Sequence, residues 1–235
     1  RCNIMKKHLL ALSAAAVLLA PNAVGAEGFS INEWSAEGFG MGGARMFAEN
    51  DAANMAYNPA SLTKIKGEVA KISATYISPH GKYKVEGGMA DMYKDNPSAP
   101  PTQGNNRIHP AWAPGMYYVR QINDKEWFGM GTWSRFGMVS QFERNSIPGS
   151  NSFSAKMNGI TLGANYTRKL DKKWTGSLGA EVNYVGLQLD KNLAVPVIPP
   201  GGTMPVGLAR TPLHLEGETY ALGWNAAANY EFDEK

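Results

Sequence analysis

The chain of 235 residues has a single cysteine, Cys2. It falls ahead of a segment read below as a cleaved leader, so no disulfide is expected to brace the fold. No apolar run is long enough to cross a bilayer as a helix. The run from Leu9 to Ala20 covers 12 residues, against the roughly 20 a spanning helix needs. Charge of one sign is also missing. Of the 23 Lys and Arg, three (Arg1, Lys6 and Lys7) precede residue 27, and all 20 Asp and Glu stand at residue 27 or after it. The rest of the chain is therefore neutral, and nothing in its charge suggests a nucleic-acid or anionic-surface footprint. His80, His109 and His214 have no metal-ligand spacing and no cysteine partner, so no metal is expected. There is no G-x-S-x-G elbow and no nucleophile–base pairing, so the chain does not read as an enzyme.

What is present begins with an export signal. Met5-Lys6-Lys7, the apolar run and Val24-Gly25-Ala26 read as a secretory leader over residues 5–26, cleaved before Glu27. Residues 1–4 precede its start Met and read as an upstream artefact. An exported chain without a spanning helix can insert into a membrane only as a closed barrel, the other way of satisfying every backbone group in lipid.

After residue 63 six segments alternate with the period of strands: 68–78, 111–121, 127–142, 156–169, 174–190 and 216–232. The fourth to sixth are the cleanest. Ile160, Leu162, Ala164 and Tyr166 oppose Thr161, Gly163, Asn165 and Thr167. Trp174, Leu178, Ala180, Val182 and Tyr184 oppose Thr175, Ser177, Glu181 and Asn183. Tyr220, Leu222, Trp224, Ala226, Ala228 and Tyr230 oppose Gly223, Asn225, Asn229 and Glu231. Tight turns at 122–125 and 171–173 alternate with long loops at 80–110 and 191–215. Aromatic residues stand at both ends of the apolar rows. An antiparallel sandwich would share the period, but this combination favours a transmembrane antiparallel β-barrel. The second and third strands alternate poorly. Pro114-Gly115 interrupts one, and the phase of the other breaks around Ser134-Arg135-Phe136-Gly137.

The stretch Gly28 to Thr63 is neither strand-like nor steadily helical. It carries Phe29, Ile31, Trp34, Phe39, Met41, Met46, Phe47 and Tyr57, and glycines 38, 40, 42 and 43 that permit close turns. Apolar side chains without a period suit a plug that touches walls on several sides, and Asn58-Pro59 would end a helix and start a turn. Gly38 to Gly43 also satisfies G-x-G-x-x-G, but a dinucleotide site needs a preceding strand, a following helix and a ribose-binding acid. None is evident, so no cofactor is expected. Asn58-Pro59-Ala60 matches a water-channel signature that requires spanning helices, and the sequon Asn165-Tyr166-Thr167 falls inside a strand.

The order Gly28-Phe29, Asn32-Glu33, Ser35, Gly38, Gly40, Ala48, Asp51-Ala52, Asn54 and Asn58-Pro59-Ala60 resembles the mature N-terminus of the FadL-type outer-membrane transporters. Ala111-Trp112-Ala113-Pro114-Gly115-Met116, Ile122-Asn123-Asp124 and Phe136-Gly137 resemble their second and third strands, and 174–190 and 215–231 their fifth and sixth. The resemblance implies a fourteen-stranded barrel in the outer membrane of a Gram-negative cell, importing long-chain fatty acids or aromatic hydrocarbons. Residues 27–63 would be its hatch, with Phe29, Asn32, Glu33, Gly38, Gly40, Asp51, Asn54, Asn58, Pro59 and Ala60 in it. It further implies a third strand kinked inward at Arg135, Phe136 and Gly137, leaving a lateral opening.

Six strands would leave two sheet edges bare in lipid, so the chain reads as the N-terminal part of a longer protein. Arg135 has two readings: an ordinary lumen-facing charge, or a group that guides a ligand carboxylate near the opening. The expected partners are outer-membrane lipid and a hydrophobic ligand, with no nucleic acid. Oligomeric state is left open, a monomer being the expectation for the complete protein. Other classes with the same signals are a general porin, which the apolar plug disfavours, and a structural barrel.

Overall fold

The computed structural model describes residues 30–44, 48–88, 100–149, 151–198, 200–203 and 207–232. The leader and Phe29 lie outside them. The chain divides into two compact units, Arg1–Ser30 and Ile31–Lys235, and the fold is that of the second.

Its frame is a six-stranded antiparallel sheet in the order β1, β4, β5, β6, β7, β8. The strands are β1 (Glu68–Ile77), β4 (Ala111–Asn123), β5 (Glu126–Gln141), β6 (Ser152–Lys169), β7 (Trp174–Val197) and β8 (Gly207–Tyr230). A short pair, β2 (Lys82–Lys84) with β3 (Gln103–Asn105), forms inside the loop expected at 80–110. β4 and β6 are slightly longer than the alternation suggested, and β7 and β8 much longer. The β7–β8 ladder runs out to Val197 and Gly207, so the connection expected at 191–215 shrinks to residues 198–206. Beyond Lys191, where β6 ends its pairing, these two strands form a ribbon. A ribbon strand has one free edge, where proline can sit without breaking a ladder bond. The Asn192 N–H donates to Asn151 O on the β6 side, and alternate residues share that side, so Pro196 turns its nitrogen to the edge that β6 has left.

The two faces of the sheet are inverted relative to a water-soluble core. Thr161, Asn165, Thr167, Thr175, Ser177 and Glu181 are buried on the concave face. On the other face Ile72, Leu162, Leu178, Leu222 and Trp224 are exposed, Leu222 to 88 %. An outward apolar band over a polar interior is what lipid outside and a lumen inside require. Aromatic pairs bracket the band: Trp174 with Tyr230 at 4.9 Å between ring centroids, and Tyr184 with Tyr220 at 5.2 Å. The pairs stand ten residues apart on β7. That is about 33 Å along a strand, or about 25 Å of height at a tilt of about 40°, the thickness of an outer-membrane apolar band.

Against the concave face packs the N-terminal segment. A short helix, Ala36–Gly40, is capped by Ser35, whose Oγ accepts the Gly38 N–H at 3.0 Å. A second, Asn54–Tyr57, runs into a 3-10 helix, Pro59–Lys64. Asn58 does more than stop a helix. It ends the second and caps the third, its Oδ1 accepting the Ala60 N–H at 3.1 Å. The buried cluster joins Ala52, Ala53, Met55, Leu62 and Ile65 of this segment to Tyr117, Val119, Trp127 and Trp133 of the wall.

That packing corrects the reading of β4 as irregular. Its burial alternates strictly, with Ala113, Gly115, Tyr117 and Val119 inward. Its hydrophobicity does not alternate because the inner face meets the apolar side chains of the N-terminal segment instead of water. Pro114 is no interruption either. The Gln121 N–H donates to Gly67 O on the β1 side. Alternate residues share that side, so Pro114 turns its nitrogen toward β5, where pairing has already ended.

Candidate functional site: a parting of the wall and the segment that fills it

β4 and β5 are hydrogen-bonded from their tight turn up to Gly115↔Trp133 and no further. Above that point β4 continues alongside β1, and β5 alongside β6. The β5–β6 register slips between Ser134 and Phe136, which leaves Arg135 as the bulged residue. A bulge bends its strand and redirects the backbone. Here it accompanies a gap in the wall between 111–114 of β4 and 134–140 of β5. The gap closes again higher up, where the Arg107 N–H donates to Gln141 O at 2.7 Å. Gly137 and Val139 share the strand edge of Gln141, so their backbone groups face the gap.

The N-terminal segment enters this parting. The Ile31 N–H donates to Arg135 O at 3.0 Å, and Tyr117 Oη donates to Trp34 O at 2.5 Å. A Cβ placed on Gly137 would meet Ile31 Cγ2 at 3.4 Å. Gly137 thus leaves room for Ile31 at the gap, while Phe136 turns inward and covers Gly159.

Arg135 points into the lumen. Its Nη2 pairs with Glu181 Oε1 at 2.9 Å, and the same oxygen accepts from Asn225 Nδ2 at 2.9 Å. The guanidinium lies 5.7 Å from the ring centroids of both Trp34 and Trp133. Glu181 is 7 % exposed. Its partnership with Arg135 spans 46 residues of sequence and was not legible beforehand. The alternation did place Glu181 on the polar side of its strand.

The remaining expected hatch residues fall into a base and a neck. At the base Asp51, 3 % exposed, accepts the Ala53 N–H at 2.9 Å and Lys71 Nζ at 2.9 and 3.0 Å. Lys71 also reaches Glu37 at 2.5 Å. Asn54 donates to Ala48 O at 2.6 Å. Pro59 O accepts from Thr167 Oγ1 at 2.8 Å, and Ala60 is fully buried. Trp127 Nε1 donates to Ile65 O at 2.9 Å, and Lys64 pairs with Glu231 at 3.2 Å. In the neck Asn32 O accepts from Tyr57 Oη at 3.0 Å, and Glu33 is half-buried. Gly38 is needed for a close approach, since a side chain there would overlap the Tyr57 ring, whereas Gly40 faces open space. Gly42 and Gly43 have φ of 63° and 83°, backbone that glycine favours.

These features meet a known family. Residues 17–235 match the family model described as Outer membrane protein transport protein (OMPP1/FadL/TodX). The chain belongs to this family. It is 28 % identical over 244 residues to the long-chain fatty acid transport protein of Escherichia coli K12, covering 95 % of this chain and 52 % of that one. It is 23 % identical over 273 residues to outer membrane protein P1 of Haemophilus influenzae, covering 98 % and 56 %. Among solved structures, a Pseudomonas aeruginosa FadL homologue matches with a TM-score of 0.67 at 20 % identity, over 86 % of this chain and 49 % of that one. The Pseudomonas putida toluene transporter TodX matches at 0.52 with 16 % identity, over 78 % and 49 %. The chain spans about half the length of the relatives it matches. The six strands are thus outer-membrane barrel wall of a Gram-negative cell, and the family is one of transport proteins, not enzymes.

Proposed function

We propose that the complete protein carries hydrophobic small molecules through the outer membrane, past a hatch made of residues 27–63, and releases them sideways between β4 and β5. The observation that carries this reading is the parted ladder above Gly115↔Trp133 with Ile31 held in it by Arg135 O. Long-chain fatty acids are the proposed ligands, the cargo in the name of the Escherichia coli relative. The name of the toluene transporter supports monoaromatic hydrocarbons as the second choice. A lateral exit suits either cargo, because each CH₂ that stays out of water saves about 0.8 kcal/mol. The buried polar seal between 51–65 and the wall argues against an open porin.

The test is a reversible lock. Ile31→Cys with Gly137→Cys in the complete protein places two thiols within bonding reach, given the 3.4 Å approach of the native side chain to a Cβ at 137. Oxidation should stop uptake of labelled oleate by whole cells, and reduction should restore it. Undiminished uptake by the oxidised form would rule out the lateral route.

A further inference from the structure

We infer that Arg135, Trp133 and Trp34 form a station for the uncharged polar head of a hydrophobic ligand, an alcohol, ester or protonated acid, and that Glu181 sets it against an anionic head. This rests on the transport reading above and adds to it the class of head group that the lumen accepts beside the gap.

Three buried donors carry the argument. Trp34 Nε1, Trp133 Nε1 and Arg135 Nε have no hydrogen-bond partner among the described residues. Trp133 is only 1 % exposed, and both indole rings lie against the Arg135 guanidinium. A buried N–H left without an acceptor is unfavourable, so a group that brings one is favoured there. All three are donors, so the complementary head is an acceptor. Trp34 belongs to the neck that fills the gap, and it is held by the Tyr117 hydroxyl on its carbonyl. A head group that reaches the seated neck meets all three donors, and withdrawal of the neck takes Trp34 with it and leaves Trp133 Nε1 and Arg135 Nε of β5 facing the parting of the wall.

Charge then decides which acceptor fits. The positive charge of Arg135 is already matched by Glu181, which is itself fixed by Asn225. A carboxylate or sulfate arriving beside this pair would be a second anion on one cation, in a site screened from water, and would be repelled by Glu181. A hydroxyl, an ester carbonyl or a protonated acid satisfies the same donors and adds no charge. The bare reading of Arg135 as a carboxylate anchor overlooks its partner.

The experiment compares entry of three ligands of equal chain length into vesicles holding the complete protein: methyl palmitate, hexadecyl sulfate and hexadecane. The wild type should admit the ester faster than the sulfate by about tenfold or more, and Glu181→Gln should reduce that ratio about tenfold by leaving Arg135 uncompensated. Glu181→Gln keeps the oxygen that Asn225 holds, so the wall is retained. Trp133→Phe should slow the ester several-fold relative to hexadecane within the same variant, a ratio that a mere loss of folded protein does not move. A wild type that prefers the sulfate, or a ratio indifferent to Glu181→Gln, overturns the assignment while leaving transport intact. Entry of labelled oleate with none of the three overturns this assignment alone, and entry of neither oleate nor any of the three overturns the transport reading with it.

Discussion

Asp51 is the residue whose loss should most directly loosen the N-terminal segment, the proposed hatch, from the wall. It makes two attachments at once: its carboxylate ends the turn at Ala53 and receives Lys71 from β1. Asp51→Ala strands a Lys71 ammonium whose side chain is only 18 % exposed. Removing one partner of a buried ion pair costs about 3–5 kcal/mol. Lys71 keeps Glu37 as an alternative, which reduces that figure to about 2 kcal/mol, and losing the turn-capping bond adds about 1 kcal/mol. The sum, about 3 kcal/mol, raises the population with a detached plug about a hundredfold. Hydrogen exchange of the backbone amides of residues 52–57 in the complete protein reads this directly, as a loss of protection of that size. Planar-bilayer conductance reads the consequence, as frequent openings absent from the wild type. Asp51→Asn, which keeps the turn bond and removes the charge, should fall between the two. Unchanged exchange and conductance in Asp51→Ala would refute the view that this ion pair seats the plug.

Other outcomes follow from the same geometry. Gly137→Ala should leave uptake near normal, since its Cβ sits 3.4 Å from Ile31. Gly137→Val crowds the gap and should slow entry of labelled oleate several-fold, and normal entry by the valine variant would count against the gap as the route. Leu222→Arg, on the lipid face between the aromatic pairs, should destabilise the complete barrel by about 2–4 kcal/mol in urea titrations from vesicles. Ala221→Arg, one residue away on the other face, should cost far less, and equal costs would contradict the inside–outside assignment. Asp171 accepts the Lys173 and Trp174 N–H groups at the β6–β7 turn, and these bonds hold its carboxyl below the ordinary aspartate range. A lowered folded pKa adds stability above the unfolded value that is lost as pH falls through the folded one. The gap in stability between wild type and Asp171→Ala should therefore be largest at neutral pH and close in acid.

Much of the wall was legible because lipid imposes a strict period. Within the band each outward residue of β6, β7 and β8 meets lipid and the inward ones meet a polar lumen, so Leu162, Leu178 and Leu222 separate from Thr161, Ser177 and Gly223 at sight. β4 defeated the same reasoning for a definite cause. Tyr117 and Val119 face Met55 and Leu62 of the plug, so both of its faces are apolar and the period vanishes while the strand remains regular. The Pro-rich stretch after Lys191 misled in the opposite direction, because a two-stranded ribbon tolerates prolines that an inner strand does not. The irregularity around Arg135 could be seen as a broken phase. The partners Glu181 and Asn225 depend on the register of four strands and could not. Nor could the two indoles, which meet at one guanidinium from opposite sides of the contact, Trp34 from the segment and Trp133 from the wall.

The attachments of the N-terminal segment are unevenly distributed, and that unevenness bears on how the proposed route could open. Residues 51–65 are held by the buried apolar cluster, the Lys71 ion pair and side-chain bonds from Thr167 and Trp127. The neck, 31–36, is held by three bonds to the wall: Ile31 N–H to Arg135, Tyr117 to Trp34 O, and the Ala36 N–H to Ser73 Oγ at 2.7 Å. Local opening free energies follow such differences in burial and bonding. Each neck bond contributes only about 1 kcal/mol net, so a ligand that competes for the Arg135 end needs only modest binding energy to displace Ile31. Unseating the base would cost several times more. A ligand in the lumen can thus clear the gap while the base of the plug stays in place, so opening sideways need not open the barrel end to end. The exchange rates of Ile31 and of Met55 should then diverge when ligand is added to the complete protein, with protection falling at Ile31 and holding at Met55. Parallel loss at both positions would mean that the segment leaves as one body, and that the lumen opens through its base.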